Sequence, residues 1–154
     1  MKTIIKYILA FSIIASITSA CTKTDEKYFF KCKIDGVEFV ANDVTSSYDD
    51  LDGAHINGYK NKGLNDTTST SISIYATGIL LAKASNYPLL TPYDATFIDE
   101  KKVTWTLKSG SFTITEFNTL TGKTKGNFKT IIFENGAGAT KTATDGTFYV
   151  HLNK

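Results

Sequence analysis

The sequence predicts an all-β domain, an antiparallel meander that forms either a β-sandwich or a partly closed β-barrel. Apolar and polar residues alternate over short runs, and Gly, Asn and Asp separate these runs. This is the pattern of antiparallel strands joined by turns. Thr, Tyr, Phe and Ile recur in the runs and suit a pleated surface buried on one face. The chain shows no convincing amphipathic-helix pattern.

The N-terminal residues are typical of an export signal. Lys2 and Lys6 precede an apolar run over residues 7–17, which is short for a bilayer span of roughly 20 residues. Ser19-Ala20-Cys21 resembles a lipobox, although Thr18 stands where Leu is usual. We therefore expect residues 1–20 to be a lipoprotein signal peptide and Cys21 to be the lipidated residue. An ordinary signal peptide that happens to precede a cysteine is the alternative.

A lipidated Cys21 implies the membrane as a partner, reached through the lipid anchor. Two or more acyl chains, such as palmitate, hold a protein stably on a bilayer. Residues 21–28 then form the lipidated N-terminus and a polar tether. Lys23 with Asp25 and Glu26 resembles the acidic stretch of some surface-exported Bacteroidota lipoproteins. We expect an outer-membrane location, with the cell surface favoured over the periplasmic face.

The composition after cleavage fits one neutral domain. Removing 20 of the 154 residues leaves a chain of ordinary domain size, with residues 29–154 as a single β-domain. The net charge of +2 includes Lys2 and Lys6, so the mature chain is formally balanced. It contains no Arg, the residue preferred for bidentate phosphate contacts. Nucleic acid is therefore not an expected partner.

Cysteine use argues against a disulfide framework. The chain has two cysteines, and lipidation consumes Cys21. Cys32 then has no partner in the chain despite the oxidising compartment. A lone thiol in a strand is usually a small buried hydrophobic group, and this interpretation is favoured over a reactive nucleophile.

The clearest structural unit is a hairpin over residues 29–41. Asp35-Gly36 is a signal for a type I′ turn. It places Ile34 opposite Val37, Lys33 opposite Glu38, Cys32 opposite Phe39 and Phe30 opposite Ala41. One face is then apolar, and the other carries the Lys33–Glu38 pair. The residues expected inside are Phe30, Cys32, Ile34, Val37 and Phe39.

Further strands are predicted from the same alternation, over residues 44–48, 54–60, 69–76, 93–98, 103–107, 111–117, 123–133 and 147–152. The segment 79–90 is apolar without alternation, and a helical turn that ends at Pro88 fits its start. Several positions expected on the outward faces are also apolar. We expect them to enlarge the core by facing a second sheet or the segment 79–90, and a binding patch is the alternative. They are Tyr59, Tyr75, Phe117, Ile131, Phe133 and Tyr149.

Two loops carry candidate sites. Asp49, Asp50 and Asp52 cluster carboxylates of the kind that Ca²⁺ prefers, but the later ligands of an EF-hand loop are absent, which favours a solvated turn. Asp66-Thr67-Thr68 resembles the O-glycosylation signal of secreted Bacteroidota proteins, with Thr67 as the acceptor. An unmodified loop is the alternative there.

Enzymatic signatures are weak in the sequence. His55 and His151 have no neighbour at metal-ligand spacing, and no Gly-x-Ser-x-Gly elbow occurs. Gly122-Lys123-Thr124 lacks the earlier glycine of a phosphate-binding loop, since Phe117 stands there. We therefore expect no cofactor and no catalytic residue. Carboxylate pairs for glycoside hydrolysis assemble in space and leave that activity open.

The lipobox, the hairpin and three Gly-x-Phe motifs together resemble the small uncharacterised β-rich lipoproteins of Bacteroidota. The motifs begin at Gly110, Gly126 and Gly146. The resemblance implies a cell-envelope lipoprotein without an established activity or site residues. We expect a non-enzymatic module that binds a glycan or an envelope protein. A glycan-acting hydrolase with a carboxylate site and an inhibitor or immunity-type protein are the alternatives.

Overall fold

The computed structural model describes residues 27–49, 53–60, 69–76, 85–91 and 94–152. Every regular element in these ranges is a β-strand, which confirms the all-β class. The strands are β1 (Phe29–Ile34), β2 (Val37–Val40), β3 (Asp43–Asp49), β4 (Gly53–Lys60), β5 (Thr70–Ala76), β6 (Ser85–Pro88), β7 (Ala95–Ile98), β8 (Thr104–Phe117), β9 (Lys123–Glu134) and β10 (Thr140–His151).

The described strands form one antiparallel sheet that curls into a half-barrel. Its order is β2-β1-β10-β9-β8-β7-β5-β4-β3, and β6 pairs with β8. Only Ala41 and Asn42 separate β2 from β3, although these two strands lie at opposite edges of the sheet. The chain therefore connects the two edges directly. The Ser46 hydroxyl of β3 donates to the His151 carbonyl of β10 at 2.8 Å, which holds the curled sheet together.

The predicted hairpin forms in the predicted register. Asp35 and Gly36 have φ values of 49° and 82°, as a type I′ turn requires. Phe30, Cys32, Ile34 and Phe39 are buried, as expected. The prediction for Val37 was wrong: its side chain is 69% exposed, because β2 is an edge strand without a neighbour on that side.

The charged face of the hairpin uses a different partner. Lys33 lies opposite Glu38, as predicted, but its ammonium group donates to the Asp145 carboxylate at 2.9 Å. This hydrogen bond, with the charge of Asp145, raises the pKa of Lys33. Asp145 lies at a bulge of β10, where the pairing with β1 shifts register. The bulge directs the Asp145 carboxylate toward Lys33. Strict alternation along β10 does not predict this contact.

The three longest strands change their buried face at one level of the sheet. Two predicted strands, over 103–107 and 111–117, are the continuous β8, in which register shifts replace the expected break. The inward residues of β8 are odd-numbered before the shift (Trp105, Leu107) and even-numbered after it (Phe112, Ile114). Since a regular strand alternates strictly, such a switch requires an extra residue.

The same change of face occurs beside it in β9 and β10. In β9 the buried positions pass from Phe128 to Ile131, and in β10 from Gly146 to Ala143. Asp145 has a φ of 54°, a backbone conformation that bulges and turns adopt. Aligned irregularities bend all three strands together, which curls the sheet.

Two of the Gly-x-Phe motifs interlock across β9 and β10. Gly126 pairs with Phe148, and Gly146 pairs with Phe128, so each ring lies over the other strand's glycine. A Cβ atom on either glycine would overlap that ring. Glycine is required at these two positions because each ring lies directly over the glycine Cα, where a hydrogen atom fits and a side chain does not.

The aromatic core is centred on Phe30, which is fully buried. Its ring lies 6.4 Å from Phe39, 6.1 Å from Phe128 and 6.2 Å from Phe148, centroid to centroid. From across the half-barrel, Gly58 of β4 approaches the same ring so closely that a Cβ atom would lie 2.9 Å from it. Phe30 thus joins the two sides of the curled sheet, and burial of such a side chain contributes about 1.5–3 kcal/mol.

The predicted outward apolar positions divide into two groups. Ile131 and Phe133 are fully buried in the core, which confirms the larger core for these two residues; they point inward, although strict alternation places them on the outward face. The change of face in β9 is the reason. Tyr149 is also buried, beneath the rings of Tyr28 and Phe29 on the outer surface. The remaining three side chains are half-buried: Tyr59, Tyr75 and Phe117.

Part of the segment 79–90 is described, from Ser85 onward, and it contains strand β6. Tyr87 of β6 stacks on Phe112 at 5.4 Å, and Leu89 enters the core. The predicted helical turn at the start of the segment lies outside the described residues. β6 lengthens the sheet beside the second half of β8, which β7 is too short to cover.

A buried carboxylate organises the loop between β6 and β7. Asp94 accepts hydrogen bonds from the Leu90 amide at 2.6 Å, the Thr91 amide at 3.0 Å and the Thr91 hydroxyl at 2.6 Å. Burial raises its pKa, but these hydrogen bonds outweigh burial and leave the pKa below the ordinary value. Asp94 is therefore ionised in the folded protein and serves as a structural anchor.

Replacing Gly146 with Ala should destabilise the fold by about 1–3 kcal/mol, because the added methyl group forces the Phe128 ring from its position. Urea unfolding measures the loss. The matched control is Gly136→Ala in the β9–β10 turn, where nothing lies within 4 Å of the added atom. Equal unfolding midpoints for the two variants would contradict the interlocked arrangement.

Replacing Asp94 with Asn should cost about 1–3 kcal/mol at neutral pH, because an amide accepts fewer of the three hydrogen bonds. Since the folded pKa is lowered, the stabilisation is present above about pH 4 and disappears as the pH falls through the folded pKa. The difference between wild type and variant should therefore shrink in acid. Glu38→Gln, at an exposed position, should stay within about 0.5 kcal/mol of wild type. A constant Asp94→Asn deficit across pH would refute this assignment.

Candidate functional site

A cavity with a mainly apolar lining lies at one end of the half-barrel, which we name the cleft end. The turns β1–β2, β7–β8 and β9–β10 meet there, as the strand registers require. The cleft has a volume of about 590 Å³. The residues that line it are Ile34, Asp35, Val37, Glu38, Phe39, Lys60, Thr70, Phe97, Asp99, Glu100, Lys101, Val103, Trp105, Asn135 and Lys141.

The cleft opens where strand pairing stops. Within β2, alternate residues bond to β1, ending with the Ala41 amide, which donates to Phe30 at 2.9 Å. The next residue, Asn42, points the other way and donates to the Tyr59 carbonyl of β4 at 2.9 Å. By the same alternation, the backbone of Glu38 also points away from β1, and Glu38 borders the cleft. The cleft therefore lies beside β2, in the direction in which the β3–β4 pairing would extend beyond Asn42.

One wall of the cleft is fixed by Asp35 and Lys141. The Asp35 carboxylate accepts from the Thr142 amide at 2.8 Å, which secures the β1–β2 turn against β10. The Lys141 ammonium lies 3.4 Å from that carboxylate and 5.0 Å from the centre of the Trp105 ring. An ammonium group over an indole face is attracted to it. Lys141 therefore connects the turn to the aromatic floor.

The opposite wall is organised by Asp99 at the β7–β8 turn. One of its oxygens accepts from the Lys101 amide at 2.9 Å and the Val103 amide at 3.0 Å, and the other accepts from the Trp105 indole at 3.1 Å. Burial raises the pKa of Asp99, but the hydrogen bonds outweigh it, with a contribution from the charge of Lys141. The net result is a pKa below the ordinary value.

The floor of the cleft is apolar, and its most accessible apolar groups are aliphatic. Trp105 is only 8% exposed, whereas Val37 and Val103 are exposed at the rim. Phe39 and Phe97 are buried below them. A mainly apolar cavity of this size with a few fixed polar groups is typical of a binding site. Its hydrogen-bonded polar rim is held in place before any ligand arrives.

None of the predicted site residues is among the described residues that line this cleft. Cys21, Asp50, Asp52 and Thr67 are outside the described residues, and Asp49 is described only as the last residue of β3. Among the described residues, no group of three or more His, Cys, Asp or Glu is arranged to hold a metal ion. No helix within the described ranges is long and apolar enough to cross a bilayer.

Cys32 and the two histidines also have structural surroundings. Cys32 is buried, and desolvation raises the pKa of its thiol to about 12, which makes it a poor nucleophile. This agrees with its interpretation as a small core residue. His55 stacks on Tyr75 at 4.0 Å, and His151 stacks on Tyr28 at 5.9 Å.

Asp99 lies between the predicted strands over 93–98 and 103–107, and no pattern in the sequence indicates the cleft. The one sequence feature that bears on this site is Asp99 itself, which lies six residues before the single tryptophan of the chain. That spacing does not reveal the partner strand, because Lys141 reaches Trp105 from β10. The site is therefore assembled from residues distant in sequence.

Replacing Asp99 with Asn should loosen the β7–β8 turn and cost about 1–3 kcal/mol of stability. Trp105 is the only tryptophan, so its fluorescence reports on this site alone. Because the folded pKa of Asp99 is lowered, its stabilisation holds above about pH 4 and is lost as the pH falls through that pKa. Wild-type Trp105 emission should follow this titration, and the Asp99→Asn variant should lack it.

Glu100→Gln is the matched control, since it removes the neighbouring carboxylate from the same turn. It should leave the acid transition of Trp105 emission in place. If the transition persists in Asp99→Asn and disappears in Glu100→Gln, the assignment of Asp99 as the partner of the indole is wrong.

The chain matches no family model, no curated protein and no solved structure to which it was compared. The resemblance to small β-rich lipoproteins of Bacteroidota therefore stays a prediction from the motifs. The geometry of the cleft and the chemistry of the N-terminal sequence are the two features that bear on function.

Proposed function

We propose that the protein is a cell-envelope lipoprotein, held on the outer membrane by an acylated Cys21, that acts as a non-enzymatic binding module. The observation that carries the binding role is the cleft of about 590 Å³, with its apolar floor and pre-arranged polar rim. The sequence Ser19-Ala20-Cys21 supports the anchor, and the charged residues after it support placement on the cell surface.

An extended segment of an envelope protein is the ligand that this cleft suits best. The exposed apolar groups at its rim are Val37 and Val103, which accept an aliphatic side chain. Stacking of a sugar ring requires an open aromatic face, and Trp105 is largely covered by Lys141 and its neighbours. A glycan is accordingly the second choice of ligand.

The edge of β2 supports the same class of partner. An extended peptide binds an exposed strand edge through backbone hydrogen bonds, and its alternate side chains fill adjacent pockets. The backbone of Glu38 faces the cleft side of β2, next to the apolar floor. A peptide strand in the cleft would continue the pairing that β3 and β4 begin at Asn42.

Hydrolysis of glycans is a weaker candidate. A glycosidase needs one carboxylic acid with a raised pKa as the proton donor. Asp99, the carboxylate that the cleft holds most firmly, has a lowered pKa and already accepts three hydrogen bonds. A partner that is itself an enzyme would make this chain an inhibitor or immunity-type protein, which is a binding role through the same cleft.

A photo-crosslinking side chain at Val37 should capture a specific envelope protein in intact cells. The matched control is the same side chain at Leu90, which is also highly exposed but does not line the cleft. Adding Val37→Asp to a protein that carries the crosslinker at Val103 should reduce capture by about tenfold or more, because loss of an apolar contact of this size costs over 1 kcal/mol.

The identity of the captured molecule separates the alternatives. An envelope protein linked from Val37 and not from Leu90 supports the proposal. Identical products from both positions, or a sugar polymer as the only product from Val37, would contradict a peptide-binding cleft.

A further inference from the structure

The end of the half-barrel opposite the cleft carries exposed aromatic and aliphatic side chains on its outer face, with an ion pair between them. We name it the N-terminal end, since β1 begins there and the β8–β9 turn lies beside it. One row of paired residues crosses four strands on the outer face. The row consists of Phe29, Tyr149, Lys125 and Glu116, and each is the register partner of the next.

Aromatic and charged contacts bind this row together. The Tyr149 ring lies 5.2 Å from Tyr28 and 6.4 Å from Phe29. The Lys125 ammonium lies 5.5 Å from the centre of the Tyr149 ring and 3.0 Å from the Glu116 carboxylate. Tyr149 also lines a depression of about 590 Å³ that extends to the β8–β9 turn. The surface is thus contiguous from β1 to that turn.

The most exposed apolar residue of this surface projects from the turn. Leu120 is 94% exposed, and Asn118 holds its backbone by accepting hydrogen bonds from the Leu120 and Thr121 amides, each at 3.0 Å. Tyr28, Phe29 and Val40 are exposed as well. A turn that is fixed by hydrogen bonds and presents a leucine to solvent, beside exposed aromatic rings, marks an interaction surface.

The sequence places a membrane close to this surface. Seven residues, 22–28, separate Cys21 from the start of β1. Fully extended, they span at most about 25 Å. If Cys21 is acylated within a bilayer, the N-terminal end cannot move further away than this. The cleft end lies at the far end of strands such as β9, which has 12 residues and a length of roughly 40 Å.

We propose that the surface formed by Tyr28, Phe29, Val40 and Leu120 docks onto the lipid bilayer that carries the anchor, so that the cleft faces away from the membrane. This inference rests on the lipid anchor of the proposed function. Leu120 enters the boundary between headgroups and acyl chains, and the rings of Tyr28 and Phe29 lie at headgroup level. Tyrosine is enriched at this depth of membrane proteins because its ring is apolar and its hydroxyl is polar.

The lysines around the surface are compatible with this position. Lys27 and Lys31 are exposed beside Tyr28 and Phe29, and their long stems allow the ammonium groups to reach the phosphate layer while apolar neighbours lie deeper. A protein partner would require a surface of its own within the short reach of the tether. An acylated Cys21 would keep the bilayer next to this surface at a high effective concentration.

The docked arrangement has a consequence for binding. A flexible tether alone lets the domain tumble and directs the cleft at random. Contact at Leu120, added to the acyl chains, restricts that motion and presents the β2 edge to partners beyond the membrane. Membrane contact and partner binding would thus take place at opposite ends of the same strands.

Site-specific labelling tests the contact in the lipidated protein. An environment-sensitive nitrobenzoxadiazole label is attached to Leu120→Cys after reconstitution into vesicles of equal parts phosphatidylethanolamine and phosphatidylglycerol. Only the introduced thiol should react, because Cys32 is buried and Cys21 is acylated. Leu90→Cys, at a position 79% exposed, is the matched leucine control, and Val37→Cys reports on the cleft end.

The expected result is a blue shift and increased emission of the label at position 120, with loss of emission when nitroxide-labelled lipid is included. Labels at positions 90 and 37 should keep the aqueous spectrum and be quenched by iodide. Unchanged Trp105 emission confirms that each variant is folded.

Three other outcomes would overturn the inference in distinguishable ways. An aqueous spectrum at position 120 in a protein whose intact mass includes the acyl chains would refute docking and leave the anchor standing. An intact mass without acyl chains would refute the anchor and the docking together. A lipid-like spectrum at position 37 would refute the outward orientation of the cleft.

Discussion

The change of buried face in the middle of β8, β9 and β10 is the constraint on which the remaining architecture depends. A regular 12-residue strand would present its alternate residues to one side along its whole length, and three such strands would form a nearly flat sheet. The aligned bulges bend all three strands at one level. The bend brings β3 and β4 toward β1 and β10, where Gly58 meets the Phe30 ring. Without it, Phe30 would lose its contact with Gly58 of β4.

The interlocked Gly-x-Phe motifs lie beside this bend and explain how it is packed. Phe128 and Phe148 lie across the sheet and fill the space beneath the curl, because glycine leaves room for them on the neighbouring strand. Their rings then contact Phe30 directly. The glycines are a requirement for aromatic packing, which accounts for their regular spacing before phenylalanine.

Curling also separates the molecule into two chemically different ends. At the cleft end, the β3–β4 pairing does not continue along β2, and the carboxyl groups of Asp99 and Asp35 accept hydrogen bonds that hold the turns around an apolar floor. At the N-terminal end, aromatic rings and Leu120 lie on the outer face near the start of β1. The long strands connect the two ends rigidly. In our proposals, one end binds the partner and the other lies on the membrane.

Much of the local structure could be predicted from the residues alone. The Asp35-Gly36 turn determines the register of its hairpin, because the required φ values suit few other residues. The identity of Cys32 as a core residue followed from the same alternation. The apolar character of Ile131 and Phe133 indicated a larger core, but strict alternation placed them on the outward face, because alternation carries no information on where a bulge occurs. Such an irregularity depends on neighbouring strands, here on Gly110 and Asp145 at the same level.

By itself the sequence determined the all-β class, the hairpin register, the neutrality expected of the chain once residues 1–20 are removed, and the chemistry expected at Cys21. These properties depend on local backbone preference, side-chain period and composition. Only the tertiary structure decided the location of the cleft and of the apolar surface at the opposite end. Lys141 reaches Trp105, and Tyr28 reaches Tyr149, across strands far apart in the chain. Such contacts arise from the curl of the sheet, which no local pattern specifies.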